Sequence, residues 1–300
     1  MNQSKFVKKF LYFPGFFGLF FSIFLMIWVG VSHNYRPSFE EQFETFHDGV
    51  LLFEVPEGYP ESRDKNLDQF DYELYQQVRS VDDAIDYLQK NYTIDSDLTA
   101  LHAVYDFTRK RFVHRMYPRH TWKTNPFFAL FELIFPSRSM NEMSTAEELL
   151  RHSAVGGCGD TTATSITLFR KLGYEAQYVA LDGHHVGEFV AGGKKWIVDA
   201  DMEVISPHSI EYIKDNLDLV PEIYAKYPKS RQNTMKRIFA SKTFSANGFD
   251  GAPKYNNNLW TLHKVIEFVK WIIPIVGFGV SCWFLVLSRR RYVISKSLMS

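Results

Sequence analysis

The sequence predicts an α+β domain, helices packed on an antiparallel sheet, carried between two transmembrane helices. Three observations predict it. Long apolar segments lie near the two ends of the chain, at 10–31 and 265–287, with no charged residue over 10–31 or 271–287. Between them, apolar residues first recur at helical spacing behind capping signals. The pattern then changes to short β-branched or alternating runs separated by glycine turns, the order expected of an α+β domain. The 34 basic and 34 acidic residues leave no formal net charge, so charge points to no nucleic-acid partner.

The first segment, Phe10 to Val31, reads FLYFPGFFGLFFSIFLMIWVGV. At about 1.5 Å per residue, some 20 such residues cross a hydrocarbon core of roughly 30 Å. A cleaved signal peptide is the alternative, but the stretch outruns a usual signal core and no A-x-A site follows it. The reading is an uncleaved anchor. The second segment is WIIPIVGFGVSCWFLVL, Trp271 to Leu287, extended backwards by Val265, Ile266, Phe268 and Val269. Pro274 does not argue against it, since membrane helices tolerate proline. Lys5, Lys8 and Lys9 precede the first span; Arg289, Arg290, Arg291 and Lys296 follow the second. The positive-inside rule therefore puts residues 1–9 and 288–300 in the cytoplasm and the main domain in the periplasm or outside the cell. A two-pass protein of the cytoplasmic membrane is expected, with the lipid bilayer as its first partner.

Within the outer segment, residues 32–80 read as a polar lead-in or stalk with one strand at Val50 to Val55. Ser80 then caps a helix whose Val81, Ala84, Ile85 and Leu88 share a face. A second helix is expected from Leu98 to Phe112, burying Leu101, Val104, Tyr105, Thr108 and Phe112. The His- and Arg-rich stretch that follows, to His120, reads as a solvated loop. PFFALFELIFP, 126–136, is too short to span and reads as a buried core helix, with a membrane-surface helix as the sharper alternative. Ser144-Thr145-Ala146-Glu147 opens a helix over 145–152, on which His152 is expected to be solvated. The next helix, 159–172, buries Ala163, Ile166, Phe169 and Leu172 and ends at Gly173. Strands follow at 174–182, 184–191 and 195–200, with Gly192-Gly193 turning between the last two. Residues 206–263 read as an extension of the domain, with a helix at Ile210 to Leu219 and a loop at 245–258.

The chain has two cysteines. Cys282 lies in the second apolar segment, so Cys158 has no disulfide partner in the outer domain. It stands in VGGCGD, at a helix start, where unpaired N–H groups and the positive end of the helix dipole favour thiolate. The N–H groups of Gly157 and Cys158 are candidates to hold an oxyanion during acyl transfer. A thiolate nucleophile needs a base, and the base an orienting partner. His184 and His185 begin one strand, and Asp199 and Asp201 end the next. Because neighbouring strand residues face opposite ways, only one histidine is expected to reach the thiol. A buried inert thiol is the plain alternative for Cys158. Structural zinc is not expected, since no C-x-x-C pair exists; neither a metal nor an organic cofactor is indicated.

The ordered set GGCGD, GHHVGEF and KKWIVDAD resembles the transglutaminase-like, papain-related superfamily, and most of all its membrane-attached bacterial members. The resemblance covers about 81–205. It implies a papain-like domain with Cys158 as nucleophile, His184 as base with Glu188 four residues on in a supporting role, and Asp199 orienting the imidazole. His185 also fits the pattern with a one-residue deletion. The interval from Trp196 to Asp199 is one residue shorter than usual, which keeps Asp201 open as the acid.

The expected function is that of a membrane-tethered thiol acyl-transfer enzyme. It would act on an amide bond of an envelope peptide or protein through a thioester, as peptidase, amidase or transglutaminase. The alternative is a catalytically silent binding or assembly module of cell-envelope or surface-polysaccharide machinery.

Overall fold

A computed structural model describes residues 3–44, 69–114, 123–134, 145–241, 244–246 and 257–297. The expected strand at Val50 to Val55, most of the His- and Arg-rich loop and most of the 245–258 loop lie outside the described residues. The chain divides into two compact units, one made of residues 1–35, 120–136 and 261–300, the other of 36–119 and 137–260.

The first unit holds α1 (Gln3–Asn34), α6 (Pro126–Ile134) and α12 (Asn257–Ser297). Phe13–Asn34 and Lys264–Arg290 are long and apolar enough to cross a membrane. The two helices run antiparallel at contacts made by small residues. A Cβ on Gly18 would stand 2.5 Å from Ser281 Oγ, and one on Gly277 would stand 2.6 Å from Ser22 Oγ. Small residues at such points let helix backbones approach closely in lipid. Helix α6 corrects one expectation. Phe128 is buried, but Leu130, Leu133 and Ile134 are exposed, and the helix belongs to this unit instead of the core of the second unit. With Glu132 its single charged residue, the helix is apolar over most of its surface and carries no narrow stripe to say which face is covered.

The second unit is α+β. Helices α3 (Tyr72–Gln77), α4 (Val81–Asn91), α5 (Asp97–Arg111), α7 (Ala146–His152) and α8 (Cys158–Lys171) precede a meander of β3 (Ala176–Leu181), β4 (His184–Ala191), β5 (Lys194–Asp199) and β6 (Val204–Ser206). Ser80 caps α4 through the Asp83 N–H, as expected. Helix α7 is capped by Thr145 with Glu148 reciprocating, one residue later than the sequence pattern suggested. A short β7 (Phe244–Ala246), where loop was expected in part, pairs with β3 and completes an antiparallel sheet in the order β6-β5-β4-β3-β7. Gly192 and Gly193 take positive φ in the β4–β5 turn, a backbone region open to glycine at little cost.

The two sheet faces are covered by different helices. On one face Ala176, Tyr178, Ala180, Phe189 and Val198 pack under α8 and join α3, α4, α5 and α7 in one cluster. On the other, Val179, Leu181, Val186 and Ile197 pack against α9 (Ile210–Asp215), α10 (Val220–Ile223) and α11 (Lys229–Ala240). Among the described residues, the segment after residue 206 thus supplies the helices of the second layer. The lead-in is also built into the domain: α2 (Phe39–Glu44) carries the buried Gln42, whose Oε1 accepts the Ala154 N–H at 2.7 Å. Beside it, β1 (Val113–His114) pairs in parallel with β2 (Val155–Gly156), tying the end of α5 to the chain entering α8.

Candidate functional site

Cys158 is the first residue of α8, and its side chain is half-buried. The Gly157 N–H donates to Asp160 Oδ2 at 2.9 Å, and the Asp160 and Thr161 N–H groups both reach the Gly157 carbonyl. This corrects the expectation for Gly157, whose N–H is engaged by Asp160 as part of the helix cap. Cys158 stands at the first helical position, where a backbone N–H has no partner within the helix.

His184 and Asp199 face the second sheet layer. His184 pairs across β3 with Leu181, and Asp199 across β6 with Val204. His184 Nε2 meets Asp199 Oδ2 at 2.7 Å, both groups being buried. Asp199 is held in turn by the Met202 N–H on Oδ1 and the Tyr224 hydroxyl on Oδ2, each at 2.9 Å. With Nε2 committed to Asp199, the His184 ring has Nδ1 left for the sulfur. A His184 ring nitrogen, the Cys158 sulfur and an Asp201 carboxylate oxygen all lie within 4.8 Å of one another.

His185 faces the other layer, pairing with Ala180 under α8. Its Nδ1 lies 3.6 Å from Cys158 Sγ, and its ring stands against Tyr178 with centroids 5.2 Å apart. Both imidazoles therefore reach one thiol, which corrects the expectation that only one could. Strand alternation still holds; the exception comes from position. The β4–β5 ladder ends at Gly187 and Val198, so His184 and His185 sit at a strand end that β5 no longer covers. There, a ring on either face can meet a sulfur placed at the sheet margin. Gly159 makes the second approach possible, since a Cβ on it would lie 3.0 Å from the Tyr178 hydroxyl and 3.3 Å from His185 Nδ1.

The electrostatics follow from this packing. Burial alone would raise the Cys158 thiol, but hydrogen bonding and charge from His184, and then from His185, bring it well below its ordinary value. Burial alone would lower His184; the Asp199 carboxylate and the Cys158 sulfur outweigh it and push the imidazole up to about 10. Burial likewise opposes the Asp199 charge, and His184, the Met202 N–H and the Tyr224 hydroxyl keep its carboxyl below the usual range. These directions favour a thiolate beside an imidazolium backed by a carboxylate.

Of the other residues singled out, Asp201 is buried at the Cys158–His184 cluster and does not take the His184 nitrogen that Asp199 holds. Glu188 is buried on β4 but points its carboxylate at the Gln177 amide, Lys195 and the Ile210 N–H, joining β3, β5 and α9. It fixes the strand that carries the histidines. His152 is half-buried at the end of α7. Tyr224 escaped the sequence reading. It closes a one-turn helix in the weakly patterned region after residue 206, and no local signal marks it.

No protein-family model, curated protein or solved structure matches this chain.

Proposed function

We propose that this chain is a membrane-anchored enzyme of transglutaminase-like, papain-related type that transfers an acyl group through the Cys158 thiol. One observation carries the reading: the His184 imidazole, bound to Asp199 at 2.7 Å, lies with a ring nitrogen within 4.8 Å of the Cys158 sulfur at a helix start.

In this reading the thiolate attacks an amide carbonyl, and carbon–sulfur bond formation puts a negative charge on the carbonyl oxygen. The Cys158 N–H donates to that oxygen. His184 gives its proton to the departing amine as the carbon–nitrogen bond breaks, leaving a thioester and a neutral imidazole. His184 then takes a proton from water, or from an acceptor amine, as it attacks the thioester, and the thiolate leaves. Asp199 keeps the ring oriented and favours its charged form. Two apolar helices suited to a bilayer would hold this chemistry near a membrane, where an envelope peptide or protein is the natural substrate class. His185 lends the sulfur a second partner and helps hold the anion.

The test is alkylation of the detergent-solubilised full chain with iodoacetamide, read at Cys158 by mass spectrometry. Cys158 is expected to react well below pH 8.5, the ordinary thiol value being about 8.5, and His184→Ala to slow the reaction at pH 6.5 by roughly tenfold or more. Reaction only above that pH, or only after unfolding, leaves the silent binding module as the better reading.

A further inference from the structure

We propose that Cys158, His184 and Asp201 form a zinc-binding site, and that zinc occupancy reversibly blocks the thiol. The blocking consequence rests on Cys158 being the nucleophile; the binding site stands on its own geometry.

The donors are a sulfur, an imidazole nitrogen and a carboxylate oxygen, all within 4.8 Å of one another. Tetrahedral zinc with bonds of about 2.0–2.3 Å holds its ligand atoms about 3.3–3.8 Å apart, so closing the set takes movement of about an ångström. A thiolate with an imidazole suits zinc, whereas magnesium and calcium take oxygen. The outer partner is already in place. A metal-binding imidazole usually gives its second nitrogen to a carboxylate or carbonyl, and His184 Nε2 is bound to Asp199 at 2.7 Å. That carboxylate is itself anchored by the Met202 N–H and the Tyr224 hydroxyl.

Charge closes the argument. Thiolate, carboxylate and neutral imidazole together offset the two positive charges of the ion, which matters because His184 and Asp201 are buried. The proton on His184 leaves to solvent as the metal takes its place, and nothing is oxidised or reduced. Three ligands from three places, the start of α8, the start of β4 and the turn after β5, leave a fourth position for water. This is an arrangement for reversible occupancy, unlike a closed structural site, and it needs no C-x-x-C pair.

The experiment uses the metal-stripped full chain in detergent with zinc chloride alone as the probe, and then cobalt(II) for its spectrum. Zinc should slow Cys158 alkylation at least about tenfold, with EDTA restoring each protein's own metal-free rate. Cobalt should give a thiolate charge-transfer band that Cys158→Ser lacks. Asp201→Asn and Asp201→Ala should each weaken zinc affinity roughly ten- to hundredfold, while His185→Gln, which removes only a neighbour of the thiolate, should weaken it less than either. Wild-type Cys158 that alkylates near neutral pH with or without zinc overturns the zinc site and leaves the acyl-transfer reading standing. Equal affinities in Asp201→Asn and the wild type, or an equal loss in His185→Gln, overturn the ligand set. A band in cobalt with a thiol that never alkylates metal-free supports the zinc site and sinks the acyl-transfer reading.

Discussion

The Tyr224 hydroxyl donates at 2.9 Å to Asp199 Oδ2, the same oxygen that meets His184 Nε2 at 2.7 Å. A residue of the second sheet layer therefore holds the carboxylate that holds the imidazole. Burial, and then the Asp199 charge, keep the tyrosine hydroxyl protonated, so it acts as a donor throughout the working range. Tyr224→Phe removes that donor from a buried anion and should cost about 1.5–3 kcal/mol of stability. The depressed Asp199 carboxyl stabilises the fold above its unfolded value of 3.8, and this is lost as pH falls through its folded value. In Tyr224→Phe the folded value rises, so acid destabilisation should begin at higher pH. Thermal melting across acid pH checks both effects.

The Cys158–His184 pair has a pH signature of its own. His184 alone, raised to about 10 from 6.5, contributes stability that is complete below 6.5 and lost as pH rises through about 10. Cys158 alone, depressed from 9.0, has the opposite slope: its contribution is complete above 9.0 and lost as pH falls towards its folded value. Between 6.5 and 9.0 the pair holds one proton both folded and unfolded, so the slopes cancel. Wild-type stability due to the pair should be flat there. Cys158→Ser leaves the His184 slope unopposed, so its stability should fall with rising pH by up to about 1.4 kcal/mol per unit. Denaturant titrations at several pH values, with a probe in the α+β unit, read the difference; a wild type that falls as steeply as Cys158→Ser refutes the pairing.

Gly159→Ala tests the second imidazole. The added methyl would press on the Tyr178 hydroxyl at 3.0 Å and on His185 Nδ1 at 3.3 Å. Alanine suits a helix better than glycine by about 1 kcal/mol, which offsets part of the crowding. The variant should melt within a few degrees of the wild type while Cys158 alkylation slows several-fold near neutral pH. Unchanged alkylation would show that His185 does not support the thiolate.

Gln42 tests the lead-in. Its Oε1 accepts the Ala154 N–H at 2.7 Å and the Ser153 hydroxyl at 3.2 Å, at the chain leading into α8. Gln42→Ala leaves a buried N–H without its acceptor and should cost about 1–3 kcal/mol. Removing the chain before residue 69 should cost more, and differential scanning calorimetry would register both.

Gly18→Leu tests the pairing of α1 with α12. No leucine fits where a Cβ already stands 2.5 Å from Ser281 Oγ. Cysteines introduced by Ser22→Cys and Gly277→Cys should cross-link in an otherwise unaltered chain, because a Cβ at 277 lies 2.6 Å from Ser22 Oγ. Gly18→Leu should sharply reduce that cross-link on non-reducing gels.

Several features were legible in the sequence because their causes are local. A run of about 20 apolar residues has the length of a bilayer whatever surrounds it. Ser80 caps α4 with atoms three residues apart, and Gly192-Gly193 turns the hairpin through its own backbone. Cys158 at a helix start was readable for a similar reason; the hairpin likewise set His184 or His185 against Asp199 or Asp201, but the choice of His184 with Asp199 was made by the packed structure. Three features depended on contacts distant in sequence, and only the tertiary structure decided them. Helix α6 is apolar except at Glu132, so its partners and not its pattern choose its unit. Both histidines reach the sulfur because the β4–β5 ladder stops short, a register that residue type does not encode. Tyr224 comes to Asp199 across 25 residues because α9, α10 and α11 fold onto the open sheet face, driven by burial of Ile210, Ile213, Met235 and Phe239. Hydrophobic burial has no direction of its own, so the particular polar contact it delivers emerges only once the layers are packed.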